Sequence, residues 1–297
     1  FWLEKVQTPS YKSWRGYAFE SVCYKHIAQI KQALSLNPDA TPYAWRYVTQ
    51  TLPNGETTVT QIPLTDSDIL DPQLGDQMPQ RPRHAQCSID LYNMLEVHYH
   101  ENPNVGVYYD YKMKWGIVGL PEPAPDVAII PNVKDKNADH IGSFDVKKEG
   151  TRPCLVIEVM SPDYPHDDTK KVQIYEQAGV KEYLIINPHS EQAKPYYEIW
   201  GYRFEKGRYR RIQPNAVGEM LSQTTQLWFG VEDDKSRLRV KDATTGQWLL
   251  TAKEEALAHQ QEQAARLEAE TKAQAEEKAR LKEQAARLEA ETKTQAA

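Results

Sequence analysis

Pro125-Asp126-Val127-Ala128-Ile129-Ile130 and Leu155-Val156-Ile157-Glu158-Val159-Met160 decide the fold. Each is an aliphatic run of strand length, and each carries one carboxylate. Short unbroken apolar runs suit strands covered on both faces. A carboxylate inside such a run is costly to bury unpaired. Two of them on neighbouring strands offset that cost by sharing a hard cation such as Mg²⁺, which prefers oxygen ligands. Asp126 and Glu158 are far apart in the chain, so only strand pairing can bring them together.

The next stretch is Ser161-Pro162-Asp163-Tyr164-Pro165-His166-Asp167-Asp168-Thr169-Lys170-Lys171. Its prolines dictate a loop after the second strand. A helix is expected over Thr169–Gln177, starting near Asp167 or Asp168, either of which can cap it. Gly179 is a fitting stop. Lys171 falls one turn before Tyr175 on that helix. Beside a metal, a lysine can orient the attacking water and stabilise charge developing on a phosphate. Acid, acid and lysine are the minimum set for metal-dependent phosphodiester hydrolysis. The everyday alternatives are capping for Asp167 and a solvated helix face for the lysines.

Four segments surround this core. Residues 1–37 hold Val22, His26, Ile27, Ile30, Ala33 and Leu34 at helical spacing, stopped by Asn37-Pro38. Residues 38–82 are turn-rich. There Pro53-Asn54-Gly55 separates Tyr47–Leu52 from Thr57–Ile62, which predicts a hairpin, and a short helix is expected near Ser67–Leu70. Residues 83–249 form the main domain. Its expected elements are a helix over Ala85–His98, strands at Val105–Tyr111 and Glu182–Asn187, and a hairpin of Tyr196–Phe204 with Arg208–Ile212 about Glu205-Lys206-Gly207. Residues 250–297 are a tail in which EQAARLEAETK at 262–272 recurs letter for letter at 283–293. Ala, Glu, Gln, Lys and Arg are strong helix formers, so a long helix is expected. Its offset of 21 residues equals three heptads, and Leu257, Leu267, Leu281 and Leu288 trace a seam broken by Thr271, Gln274 and Lys278. That seam suits a coiled coil or a homodimer only weakly.

Net charge is −6; the tail from Thr251 has eight basic and ten acidic residues, which leaves −4 on the body. That balance argues against a simple basic DNA-binding module. It argues less against an enzyme whose metal supplies local positive charge. The three cysteines, Cys23, Cys87 and Cys154, follow no metal spacing and read as free thiols of a reducing, cytoplasmic compartment. No apolar run is long enough to span a bilayer. Phe1-Trp2-Leu3-Glu4 lacks the pattern of a secretory leader and suggests a fragment or a processed product. His98 and His100 lack a nearby third ligand and read as helix-end polar residues. Tyr108-Tyr109 and Tyr196-Tyr197 read as strand packing.

Pro-Asp, apolar-apolar-Glu-Val, Ser-Pro, a following Asp and Lys, a Tyr, and Ala178-Gly179-Val180-x-Glu182-Tyr183 together resemble the Uma-type family of restriction-endonuclease-like proteins, a branch of the PD-(D/E)XK nuclease superfamily. The resemblance runs from about Arg46 to Trp228. It includes Gly75-Asp76-Gln77-Met78-Pro79-Gln80-Arg81, Trp115-Gly116-Ile117 and Glu149-Gly150-Thr151-Arg152-Pro153. It implies an α/β restriction-endonuclease-like mixed sheet flanked by helices, with a long C-terminal helix. It also implies Mg²⁺, or Mn²⁺ in its place, held by Asp126, Glu158 and the Val159 carbonyl, with DNA as substrate. Met160 stands where the superfamily commonly has lysine. The family resembles this chain in moving the lysine onto the next helix, where Lys171 aligns and Lys170 is the fallback. The resemblance also suggests that His84 lies near the site. Separately, Trp14-Arg15-Gly16-Tyr17-Ala18-Phe19-Glu20 resembles the opening helix of a nuclease-like domain attached to AAA-type ATPases, with Glu20 as its acid. The alternative to an enzyme is a degenerate nuclease fold that binds nucleic acid or acts as a scaffold through its tail.

Overall fold

Strand alternation and proline placement set the elements, and the computed structural model describes residues 26–34, 45–51, 57–73, 76, 81–136, 142–161, 168–189, 196–232 and 237–295. Helix α1 (Ile27–Ala33) is the described part of the first predicted helix; Glu20 and Cys23 lie outside the described residues. Strands β1 (Trp45–Thr51) and β2 (Thr57–Pro63) form the expected antiparallel hairpin. Helix α2 (Asp66–Leu70) opens on a reciprocal capping box between Thr65 and Asp68. Arg46 ties the hairpin down, 2.8 Å from Asp68 and 2.9 Å from Asp76. Helix α3 (Pro82–His98) starts earlier than its apolar pattern suggests, because Pro82 fits the first helical turn without losing a hydrogen bond.

Strands β3 (Val105–Tyr109), β4 (Lys112–Lys114), β5 (Val127–Pro131) and β6 (Ser143–Asp145) follow, then a short helix α4 (Val146–Glu149) and strand β7 (Leu155–Val159). Helix α5 (Lys170–Gln177) crosses over to β8 (Glu182–His189). It starts at Lys170 with Thr169 at the cap position and no side-chain cap bond, so Asp168 does not take the capping role expected of it, and Asp167 lies outside the described residues. Gly179 does end it, in the left-handed region at φ +72°. Arg152 caps the same end, its guanidinium 2.7 Å from the Ala178 carbonyl.

Strands β9 (Tyr196–Glu205) and β10 (Arg208–Arg211) make the second hairpin, with Lys206 and Gly207 both at positive φ as a two-residue turn needs. Strands β11 (Met220–Ser222), β12 (Leu227–Val231) and β13 (Leu238–Asp242) form a second sheet that the sequence reading did not anticipate. The pair β4 and β6 was also missed, since three residues show no alternation to read.

Among the described residues the main sheet has six strands in the order β10-β9-β8-β7-β5-β3, with β7 and β8 parallel and the other neighbours antiparallel. It is therefore the mixed sheet expected, and its period of two sorts the core. Val127, Ile129, Leu155, Ile157, Leu184 and Ile186 pack with Cys87, Leu91, Met94 and Leu95 of α3 and with the second sheet. Ala128, Ile130, Val156, Tyr183 and Ile185 pack with Ile174, Tyr175 and Ala178 of α5. Helices thus cover both faces. Cys87 and Cys154 are free, and burial pushes the Cys154 thiol up to about 11. His98 reaches Asp242 at 3.9 Å and His100 reaches Glu96 at 3.7 Å, which fits their reading as helix-end polar residues.

Glu182 joins the two sheets. It is fully buried. One carboxylate oxygen takes Arg203 Nε at 2.7 Å and the Gln223 N–H at 3.0 Å. The other takes Ser222 Oγ at 2.6 Å, Thr224 Oγ1 at 2.6 Å and the Thr224 N–H at 3.0 Å. Burial pushes this carboxyl up, but the hydrogen bonds from Ser222, Thr224 and Arg203 outweigh it, so it sits below the ordinary glutamate range. No helix among the described residues is long and apolar enough to cross a membrane.

The tail is a separate compact unit, Leu250–Ala297. Its helix α6 (Ala252–Gln295) begins on a second capping box, Thr251 with Glu254. Leu257 and Leu267 are exposed on it.

Glu182→Gln removes a charge around which five donors are arranged, and is expected to cost about 3 kcal/mol in urea unfolding. Because its folded pKa is depressed, Glu182 stabilises the fold above its unfolded pKa. That contribution is lost as pH falls through the folded value. The wild-type urea midpoint should therefore drop more steeply below pH ~4 than that of Glu182→Gln; parallel curves would show that Glu182 is not the linkage point.

Candidate functional site

Backbone register builds the site. The β5–β7 ladder pairs Val127 with Ile157, Ala128 with Val156 and Ile129 with Leu155. One step further along the same ladder, Asp126 falls opposite Glu158. Opposed residues of antiparallel strands present their side chains on one face. Both carboxylates are buried, Asp126 at 7% exposure and Glu158 at 2%. The Val159 N–H donates to Asp126 Oδ2 at 2.7 Å, which locks the two strand ends together.

Helix α5 supplies the rest. Lys171 Nζ lies 3.0 Å from Glu158 Oε1. One turn on, the Tyr175 hydroxyl donates to the same oxygen at 2.5 Å. Tyr175 is fully buried, edge-on to Trp115 at 6.0 Å and tilted against Tyr183 at 4.9 Å. The tryptophan of the Trp115-Gly116-Ile117 motif thus backs the tyrosine that holds Glu158. Thr151 and Arg152 of the Glu149-Gly150-Thr151-Arg152-Pro153 motif anchor the frame, Thr151 on the Pro131 carbonyl at 2.6 Å and Arg152 on the end of α5.

From the opposite side α3 brings His84, its Nε2 3.3 Å from Asp126 Oδ2. Burial pushes the Asp126 carboxyl up. The charge and hydrogen bond of His84, the Lys171 charge and the Val159 N–H together hold it below the ordinary aspartate range. Asp126 is therefore anionic at neutral pH despite its burial.

The residues singled out from the sequence divide clearly. Asp126, Glu158 and Lys171 come together, and His84 joins them. Lys170 points elsewhere, 3.7 Å from Asp66 and half exposed. Glu20, His166 and Asp167 lie outside the described residues. Tyr175 received no role from the sequence, although its spacing from Lys171 is one helical turn and puts both on one face. Among the described residues no three His, Cys, Asp or Glu side chains are grouped as a ready metal cage. What is present is an oxygen donor set of two carboxyl side chains and the adjoining Val159 carbonyl, of a chemistry that suits Mg²⁺ or Mn²⁺.

The profile of the Uma2 family, described as "Putative restriction endonuclease", matches residues 63–237. That is more than half of the chain. The chain belongs to the Uma2 family. A crystal structure of a "putative nuclease belonging to DUF820" from Anabaena variabilis is similar, at 15% identity over 57% of this chain and 79% of that one, with a TM-score of 0.35. No curated protein matches. The Uma2 match spans Asp126, Glu158, Lys171, Tyr175 and His84.

His84→Gln removes the partner that contributes most to lowering the Asp126 carboxyl. Carboxylate NMR titration is expected to show Asp126 titrating at higher pH in this variant than in wild type, with Glu182 unmoved. An unshifted Asp126 would break the link between the two residues.

Proposed function

We propose that this chain is a metal-dependent nuclease that hydrolyses phosphodiester bonds in DNA. The observation that carries the reading is Lys171 set 3.0 Å from Glu158, on the strand position that faces Asp126. Asp126, Glu158 and the Val159 carbonyl are the groups that would hold Mg²⁺, or Mn²⁺ in its place. When bound, such an ion supplies positive charge at the scissile phosphate and activates water.

The side chains of the chain do the remaining work. Lys171, as an ammonium, donates to the attacking water and to the phosphate oxygen on which charge grows. Tyr175 fixes the Glu158 carboxylate, so the lysine and the acid keep one geometry during attack. His84 and the Val159 N–H keep Asp126 ionised. In the overall step the water oxygen bonds to phosphorus, the bond to the leaving oxygen breaks, and that oxygen takes up a proton. With the lysine on a helix rather than on β7, position 160 needs no charge, which accounts for Met160.

Belonging to the Uma2 family supports a nuclease; the Mg²⁺ requirement, DNA as substrate and the roles of individual residues are this reading's own. Purified protein with supercoiled plasmid and Mg²⁺ should nick or linearise it. Glu158→Gln, Asp126→Asn and Lys171→Met should each lower the rate by roughly 100-fold or more. Absence of cleavage with Mg²⁺ and Mn²⁺ on every DNA and RNA form would end the enzyme reading and favour a nucleic-acid-binding module.

The exposed Leu257 and Leu267 lie ten residues apart, an a-to-d spacing across heptads, and support a second role for the tail as a self-pairing helix. Sedimentation of the full chain should then show a dimer that a truncation ending at Thr251 loses; an unchanged oligomer would remove this role.

A further inference from the structure

The same ladder that seats the acids continues across the sheet. Glu158 is paired with Ile185 of β8, and Ile185 with Trp200 of β9. The three side chains share one face and one height, and two strand spacings put Trp200 about 10 Å from Glu158. Beyond Tyr202 the β9–β10 ladder stops, apart from one further bond from the Ile212 N–H to the Gly201 carbonyl. The edge of β9 therefore opens beside Trp200.

A groove of about 560 Å³ lies at that opening, and its lining includes Trp200, Tyr202, Arg211, Glu198 and Asp168. Asp168 stands just ahead of α5, so one wall of the groove lies three residues before Lys171. Trp200 is one of its aromatic lining residues. Tyr202 is held firmly, stacked on Tyr209 at 5.9 Å and on Tyr183 at 6.4 Å. Arg211 is exposed, with its guanidinium 5.9 Å from the centre of the Trp200 ring.

The charge pattern selects what can enter. Asp168 and Glu198, the latter 2.7 Å from His189, put two carboxyl groups on the wall, which disfavours a phosphate chain running along it. A base is uncharged, stacks on an aromatic face, and its exocyclic amino group can donate to a carboxylate. A paired base has both faces covered by its neighbours, whereas an unpaired one is free to stack. Arg211, at the mouth, can close over the base and meet the flanking phosphate.

We propose that Trp200 and Arg211 form a stacking subsite for an unpaired nucleobase within a few nucleotides of the scissile phosphate, so that the preferred substrate is single-stranded or locally opened. This rests on the nuclease reading.

The test uses the full chain with Ca²⁺ in place of Mg²⁺, and fluorescence anisotropy at fixed salt. The probes are one labelled sequence as single strand, as full duplex and as duplex with a short gap. Wild type should bind the gapped and single-stranded forms more tightly than the duplex. Trp200→Leu should lose about tenfold or more on those two forms, with duplex affinity unchanged. Arg211→Ala should lose less, in the same order. Equal wild-type affinity for all three forms, or an equal loss on all three in the variants, would overturn the subsite. If Trp200→Leu fails to fold by circular dichroism, Arg211→Ala decides alone, because its side chain is exposed; unchanged selectivity then counts against the proposal. A parallel Mg²⁺ cleavage assay separates the two readings. Cleavage without selective binding removes only the subsite. No cleavage and no binding of any nucleic acid removes the nuclease reading and the subsite with it.

Discussion

The antiparallel register of β5 against β7 is the constraint from which the rest follows. Side chains alternate with a period of two, so one step of slip would turn every inward residue outward. The register is fixed by burial on both sides: Val127, Ile129, Leu155 and Ile157 against α3, and Ala128 and Val156 against α5. With that much aliphatic surface committed, Asp126 and Glu158 have no freedom to avoid each other. Their proximity is a by-product of packing, and the Val159 N–H on Asp126 seals it.

Two buried glutamates on adjacent strands show what distinguishes a structural acid from a candidate working one. Glu182 is surrounded: five hydrogen bonds reach its two oxygens, several from backbone or short hydroxyls that have little room to move. Glu158 draws on a single helix for a long lysine and a tyrosine. Asp126 is similar, with both Val159 and His84 meeting Oδ2. Saturation makes Glu182 a rivet between sheets. Asp126 and Glu158 instead take side-chain contacts from α3 and α5, helices outside the ladder that seats them.

Much of this was legible from the residues. The central strands and α5 announced themselves by aliphatic runs and by Gly179, and the acids stood out because carboxylates rarely interrupt such runs. Lys171 was preferred to Lys170 on the family resemblance alone; the structure supplies the physical reason, since neighbouring helical residues point about 100° apart and Lys171 is the one that reaches Glu158. His84 was placed near the site by likeness alone; nothing local in Arg83-His84-Ala85 signals a partner far downstream. Tyr175 could have been found from its one-turn spacing to Lys171. The second sheet was hidden for another reason: β11 has three residues, too few to establish a period.

The repeat in the tail has a geometric consequence of its own. Copies offset by 21 residues lie about 31 Å apart along the axis of α6. In a straight helix they are also turned by about 60° relative to one another, because three heptads fall short of six whole turns by that amount. In a lone straight helix the two identical stretches of sequence therefore face different directions. Winding the helix into a left-handed supercoil would bring them into line, so how far the helix is wound sets the direction in which the second copy faces.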